Sequence, residues 1–234
     1  MDDAGDPISA AVGLFAHDLR GPLATALNAA GFMRLCDDPR EKASLLDSID
    51  HTIVELSAMV DNLELVAGAT EERKATLGCV DLVPIVEAMC ADLRRGFELC
   101  RVRFVVHSST PTLLVRGDRR LTRLIARNAI LNALQQSVSD RTVTVETVAG
   151  SGIGCLRVTD EGSRLPRDMT ERIFELEAQP ALRQRGFRTG RGLGLVALGR
   201  AAAAQGATTA MSLRDPQGAV LNVTWREFSA PAQS

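Results

Sequence analysis

Two apolar stripes at helical spacing in the first third of the chain constrain the fold more than any other feature. The first segment runs from about Pro7 to Leu35, and the second from about Glu41 to Ala67. In the second, apolar residues from Leu45 to Leu63 step by four, four, three, four and three, which is a narrow coiled-coil-like stripe. Residues 36–40 between them are rich in Asp and Pro, which favours a turn and a new helix start. We therefore expect an antiparallel helical hairpin.

This hairpin cannot bury both of its stripes alone, because the connecting turn is short and each helix has one partner. Pairing with a second copy would form a four-helix bundle and remove the remaining apolar surface from water. The pattern therefore predicts a homodimer.

A polar segment that opens with glycine, residues 68–74, looks like a linker, and the pattern changes after it. Helices are predicted at 81–99, 118–138 and 193–205, and strands at 101–107, 113–116, 142–148, 153–159, 208–213 and 220–228. Strands that return as hairpins beside grouped helices indicate an α/β sandwich rather than a doubly wound parallel sheet. The expected fold class is α+β, with one domain over residues 1–74 and a second over 75–234.

Composition narrows the function classes. The chain has 234 residues, a formal net charge of −2 and 45% hydrophobic residues, so no electrostatic argument favours nucleic acid as a partner. No stretch approaches the roughly 18 apolar residues that span a bilayer. The five cysteines are scattered, as is typical of reduced thiols. We expect a cytoplasmic protein without a membrane segment.

The segment from Phe15 to Leu23 reads FAHDLRGPL and places His17 beside Asp18 on a helix-compatible run. A neutral imidazole is nucleophilic near physiological pH. An adjacent carboxylate can hold the ring in one tautomer and accept its proton. These properties suit a phosphoryl acceptor. The alternative is a polar helix with a proline kink and a solvated His17.

Asn128 and Asn132 lie four residues apart in the sequence NAILNALQ. This spacing puts both side chains on one face of a helix. Amide oxygens are among the ligands that Mg²⁺ accepts alongside phosphate oxygens. Asn132 is the candidate metal ligand, with Asn128 assisting; the alternative is a pair of buried amides that cap a loop.

Two glycine-containing segments follow. Asp160 and Gly162 belong to DEGSR at the end of a predicted strand, and Gly190, Gly192, Leu193 and Gly194 belong to GRGLGL at the start of a predicted helix. Glycines let the backbone approach phosphate oxygens, and a helix start offers free N–H groups to them.

In this order, the segments resemble the catalytic core of bacterial sensor histidine kinases: the phosphoacceptor box, the asparagine box and two glycine boxes. Residues 171–175, ERIFE, are similar to the family's phenylalanine-containing box. The resemblance implies a dimerisation hairpin followed by an ATP-binding domain of the gyrase, Hsp90 and histidine-kinase type. It further implies that Asp160 accepts a hydrogen bond from the adenine amino group, and that ATP and Mg²⁺ bind.

The resemblance also suggests roles for a lid segment and for a packing residue. Residues 176–189 are interpreted as a mobile lid. Its Arg183, Arg185 and Arg188 would either reach phosphates or, the favoured alternative, remain solvated charges. Phe174 is interpreted as a packing anchor.

Several positions depart from the family pattern. Gln135 replaces the lysine of the asparagine box, and Arg164 replaces the second glycine of the DEGSR segment. Gly21 stands where the family has Thr or Asn, the residue that positions water in the reverse reaction. Asn128 occupies a place where related ATPases have a glutamate that activates water. Because an amide is a poor base, Asn128 favours transfer to a protein side chain over hydrolysis.

The expected function is autophosphorylation on His17 followed by transfer to an aspartate of a response regulator. The input would come from a partner such as a separate sensor protein, from a separate subunit, or from a region outside this sequence. One alternative is a histidine phosphotransfer or adaptor protein with a degenerate nucleotide site. Another is a serine kinase that regulates an anti-sigma-type partner, which would leave His17 and the hairpin without a purpose.

Overall fold

A computed structural model describes residues 7–68, 75–162, 165–184 and 193–229 of the protein. These residues divide into two compact units. One unit holds the first two helices, and the other holds every element from the first strand onward.

The first unit is a helical hairpin of α1 (Pro7–Leu35) and α2 (Pro39–Val66), which pack along each other. The bounds of α1 are those predicted. Helix α2 begins two residues before the predicted start, because Asp38 caps it by accepting a 2.9 Å hydrogen bond from the Arg40 backbone N–H. Proline is tolerated at the first position of a helix, where its missing N–H would have no partner.

Much of the apolar surface of this hairpin is not covered within the chain. The exposed fraction of the residue is 72% for Leu27, 63% for Phe32 and 53% for Ile53. The two helices therefore contact each other over only part of their apolar surface, as their short connection predicts.

The second unit contains two sheets. A small antiparallel pair joins β1 (Gly78–Asp81) to β3 (Leu114–Gly117). The larger sheet has the order β2 (Arg103–Ser108), β4 (Thr142–Gly150), β5 (Ile153–Asp160), β7 (Ala219–Arg226), β6 (Thr208–Leu213). Strands β2 and β4 are parallel, and the remaining pairs are antiparallel.

Helix α4 (Arg119–Gln136) contacts both α3 (Leu82–Leu99) and α6 (Gly194–Ala204), and all three helices contact the larger sheet. Along β4 and β7, buried and half-buried residues alternate, as expected of a sheet that carries helices on one face. Leu156 and Val223 of the sheet and Ile125 of α4 are fully buried. The predicted α/β sandwich, with a mixed rather than an all-parallel sheet, is confirmed.

Asp118 connects several elements at the start of α4. Its carboxylate accepts hydrogen bonds from the backbone N–H groups of Arg120 and Leu121, as an N-cap does, and from the N–H of Thr76 at 2.8 Å. Its own N–H donates to the side-chain oxygen of Gln205, just after α6, at 2.9 Å. These contacts fix the position of α4, which carries the paired asparagines.

Some boundaries differ from the prediction. Strand β2 begins at Arg103 rather than residue 101, because Arg101 adopts a left-handed backbone conformation with φ 56°. Strand β1 and a short helix, α5 (Gln179–Gln184), were not predicted. Within the described residues, no helix combines the length and the hydropathy needed to cross a membrane.

Candidate nucleotide-binding site and phosphoacceptor helix

The paired asparagines lie on α4 as predicted. Asn128 is buried and Asn132 is half-buried. Because they are one turn apart on the same helix, both amides lie on the same face. Asn132 is the more accessible of the two, which suits the role of a ligand to a bound group.

Asp160 ends β5 as a buried carboxylate, with 5% of the residue exposed. It accepts a 2.8 Å hydrogen bond from the Gly162 N–H. Burial raises the pKa of Asp160 to about 6, while hydrogen bonds from the backbone N–H groups of Gly162 and Ala219 and the charge of Arg214 offset part of the rise. At neutral pH the ionised, acceptor-only form therefore prevails.

Gly162 lies directly against the end of α4. A Cβ at this position would collide with the backbone carbonyl of Gln136, so only glycine fits here without a shift of the backbone. This close approach places the Asp160–Gly162 segment beside the last turn of the helix that carries Asn132.

The loop between β6 and β7, residues 214–218, also packs against this segment. Gln217 Nε2 donates a 3.3 Å hydrogen bond to the carbonyl oxygen of Glu161. Arg214 lies 3.9 Å from a carboxylate oxygen of Glu161, whose other oxygen accepts the Thr142 N–H at 3.0 Å. Gly218 has φ 103°, and a Cβ there would collide with the Asp160 carbonyl.

The second glycine segment is described only in part. Leu193 is buried and precedes α6, which begins at Gly194. Helix α6 packs on α4. The glycine segment at the start of α6 and the paired asparagines of α4 therefore lie on neighbouring helices. Gly190 and Gly192 lie outside the described residues, as do Arg164, Arg185 and Arg188.

The predicted lid is in part a packed segment. Residues 179–184 form α5, in which Leu182 is fully buried. The buried Gln179 donates hydrogen bonds to the carbonyls of Ile173 and Glu175. The described part of the predicted lid, residues 176–184, therefore packs through apolar burial and two hydrogen bonds from the Gln179 amide, and its mobility stays a prediction. Phe174 contacts the site of Gly199 on α6, as expected of a packing anchor.

His17 and Asp18 lie near the middle of α1. Asp18 is half-buried, Gly21 is exposed, and Pro22 is buried inside the helix. Because proline has no N–H, the helix lacks one backbone donor just after the histidine. The His17 side chain lies outside what the structure describes.

The sequence analysis missed the residues that support Asp160 from outside its own segment: the Gln136 carbonyl, Thr142, Gln217 and Gly218. Proline followed by glycine in residues 216–218 signals a turn, but no local pattern indicates which strand end this turn contacts.

These features suit the nucleotide that the resemblance implies. The buried carboxylate of Asp160 can accept a hydrogen bond from a base. Its neighbour Gly162 lies where the chain has no space for a side chain. In the described part of the chain, no three His, Cys, Asp or Glu residues cluster as metal ligands. The half-buried Asn132 has an amide oxygen of the kind that can bind a divalent ion whose other ligands are nucleotide phosphates and water.

Comparison with known proteins identifies the domain. Residues 117–228 match the family described as histidine kinase-, DNA gyrase B- and HSP90-like ATPase. The match begins just before α4 and ends just after β7, so it contains the asparagine pair, Asp160 and α6.

Among curated proteins, the chain is 28% identical over 187 residues to the sensor protein IrlS of Burkholderia pseudomallei, covering 77% of the chain and 39% of that protein. The chain thus spans well under two thirds of such relatives.

Among solved structures, full-length ShkA in complex with AMPPNP superposes with a TM-score of 0.62 and 21% identity, covering 97% of this chain and 48% of that one. The histidine kinase ThkA in complex with the response regulator TrrA gives 0.55 and 15%, covering 91% and 60%. At such identities the likeness supports the fold.

The family match and the sensor-protein relatives agree with the geometry around Asp160 and α4: this chain contains an ATP-binding domain of the histidine-kinase type, preceded by a helical hairpin.

Proposed function

We propose that the protein is a histidine kinase that phosphorylates itself on His17 with ATP and Mg²⁺ and passes the phosphoryl group to an aspartate of a response regulator. The observation that carries the nucleotide part is the buried Asp160 carboxylate, held by the Gly162 N–H beside the last turn of α4. ShkA in complex with AMPPNP and ThkA in complex with a response regulator support the same ligand and partner classes for this chain.

The roles of individual residues follow from their chemistry. Asp160 accepts a hydrogen bond from the adenine amino group, and Gly162 lets the segment that carries it pack against the end of α4. Asn132, assisted by Asn128, holds the metal ion, which neutralises phosphate charge when bound. The backbone from Gly190 to Gly194 lines the phosphates.

In the transfer step, a ring nitrogen of His17 forms a bond to the γ-phosphorus while the bond to the bridging oxygen breaks and ADP leaves. Asp18 orients the ring and accepts its proton. Positioning and charge neutralisation supply most of the rate.

The larger assembly is also part of the proposal. Residues 1–74 form the dimerisation and phosphoacceptor domain, and 75–234 form the catalytic domain. The exposed apolar residues of the hairpin fit a homodimer in the cytoplasm.

The test is incubation of the protein with labelled ATP and Mg²⁺. We expect a phosphoprotein that is labile to acid and stable to alkali, and no label on His17→Gln. His51→Gln and His107→Gln serve as controls and should keep the label. Label that persists on His17→Gln would refute the assignment of the acceptor.

A second candidate is a phosphotransfer or adaptor protein whose nucleotide site has decayed. Gln135 favours it, because glutamine offers no charge where the family has lysine. Equilibrium titration with ATP separates the two: affinity in the micromolar range supports a kinase, and absence of binding supports the adaptor.

A further inference from the structure

The Asp160–Gly162 segment is held from three directions by elements distant in sequence. The Gln136 carbonyl at the end of α4 closes one side, and the Thr142 N–H at the start of β4 holds the Glu161 carboxylate. The third support comes from the 214–218 loop, which is about 55 residues further along the chain.

This third support acts on the backbone of the segment and not only on exposed side chains. Ala219 pairs with Asp160 across β5 and β7. Just before it, Gly218 packs on the Asp160 carbonyl so closely that a side chain is excluded. Gln217 then donates to the next carbonyl, that of Glu161. Successive peptide groups at residues 160 and 161 are therefore fixed by successive residues of the loop.

The loop itself has a defined shape. The Arg214 N–H donates a 3.0 Å hydrogen bond to the Gly218 carbonyl and closes the turn. The Arg214 guanidinium reaches the Glu161 carboxylate at 3.9 Å, and both side chains are about 40% exposed or less. The loop thus contacts Glu161 at both its backbone and its side chain.

We propose that the β6–β7 loop is a positioning element for Asp160, which acts through Gln217 and Gly218 to set the affinity for the adenine base. The inference rests on the proposed adenine-binding role of Asp160 and extends it. The contacts of these loop residues are to the Asp160 and Glu161 peptide groups and to the Glu161 carboxylate. Their effect is on the orientation of the peptide that carries the base acceptor.

The first measurement is the equilibrium affinity of the full chain for ATP and for GTP. Loss of the Gln217 hydrogen bond should weaken ATP binding about fivefold in Gln217→Ala and leave GTP binding unchanged. Autophosphorylation at saturating ATP should keep its rate, so KM rises without a fall in kcat. The control is Arg226→Ala, which removes an exposed side chain at the opposite end of β7 and should change neither affinity. Equal losses for ATP and GTP would overturn the proposal.

A second measurement needs no nucleotide. Hydrogen exchange at the Gly162 amide, whose N–H donates a hydrogen bond to Asp160, should accelerate in Gln217→Ala and in Gln217→Glu. The glutamate variant places a carboxylate oxygen against the Glu161 carbonyl oxygen, and neither of these two acceptors can donate. Unchanged exchange at Gly162 in both variants would overturn the positioning role directly.

A double variant distinguishes failure of the loop from failure of Asp160. In the Asp160→Asn background, adding Gln217→Ala should have no further effect on the preference for ATP over GTP. If Asp160→Asn alone leaves that preference unchanged, the adenine role of Asp160 fails, and the proposal with it. If Asp160→Asn removes the preference while Gln217→Ala does not alter it, only the loop inference is refuted.

Discussion

The backbone carbonyl oxygen of Gln136 occupies the space that a side chain at Gly162 would need. This contact joins the end of α4 to the segment that follows β5. It therefore makes the candidate nucleotide site depend on a glycine for steric reasons, independent of any turn preference.

The first prediction concerns that glycine. Gly162→Ala forces the segment away from α4, and overpacking of this kind destabilises a protein by about 1–3 kcal/mol. We expect a lower thermal midpoint together with weaker ATP binding. Gly78→Ala is the matched control, because a Cβ at Gly78 meets nothing within 4 Å. An unchanged midpoint for Gly162→Ala would contradict the packing described here.

The second prediction follows from the pKa of Asp160. Its folded-state pKa of about 6 lies above the ordinary value of 3.8, so folding favours the protonated form. Stability is then lost as the pH rises between these two values, by about 3 kcal/mol in total. Asp160→Asn removes this loss while keeping an acceptor for the Gly162 N–H.

Asp160→Asn should accordingly be more stable than the wild type at pH 7.5 and differ little from it at pH 3.5, while it binds ATP more weakly. Thermal unfolding at the two pH values measures the difference. A stability gain of the same size at both would show that ionisation of Asp160 is not its cause.

The third prediction tests Asn132 as a metal ligand. Asn132→Ala should raise the Mg²⁺ concentration that gives half-maximal autophosphorylation by about tenfold or more, since each tenfold corresponds to about 1.4 kcal/mol of lost binding. Circular dichroism should show an unchanged fold, because the side chain is only half-buried. Asn28→Ala, an exposed asparagine of α1, is the control. Equal Mg²⁺ dependence of the two variants would argue against the role.

The fourth prediction uses the exposed part of the hairpin. Ile53 is 53% exposed within one chain, so Ile53→Glu would have little effect on a monomer. In an apolar interface between copies, the same charge costs several kcal/mol. Light scattering should give twice the chain mass for the wild type and the single mass for Ile53→Glu. Ala43→Glu adds the same charge at an exposed position off the stripe and should stay dimeric. A monomeric wild type would disprove the dimer.

Periodicity was sufficient to predict the long elements. The bounds of α1 match at both ends. The β4–β5 hairpin forms at the predicted turn, where Gly152 has a φ of 76°, a backbone conformation that favours glycine. The types of the site residues could also be predicted, because the spacing of Asn128 and Asn132 is a property of any helix.

Other features depend on contacts distant in sequence. Strand β1 has four residues and, in the part of the chain that the structure describes, pairs with β3 alone, so its own sequence carries little signal. Helix α5 exists because Leu182 and Gln179 are buried, which a polar, arginine-rich stretch does not indicate. The support of Asp160 by Gln217 and Gly218 likewise requires the sheet order that brings β7 beside β5.

The last prediction concerns Gly21, four residues after His17 on α1. In the family that the site resembles, a Thr or Asn at this position holds the water that dephosphorylates the regulator. Glycine has no side chain to do so, and loss of one such group slows a step of this kind by about 10²-fold. We therefore expect the protein to be a kinase with weak phosphatase activity. The measurement is the decay of purified phosphorylated regulator with and without the protein, after removal of ADP.

A variant that gains phosphatase activity gives a second test of the role of residue 21. A Cβ at Gly21 meets nothing within 4 Å, so Gly21→Thr fits without rearrangement and should accelerate the decay. Gly13→Thr is the matched control, because Gly13 is equally open on the same helix, one turn before His17 and not after it. It adds the same hydroxyl without reaching the place of the attacking water, so the decay should stay slow. Rapid dephosphorylation by the wild type, or equal acceleration by both variants, would show that the side chain at residue 21 does not control the reverse reaction.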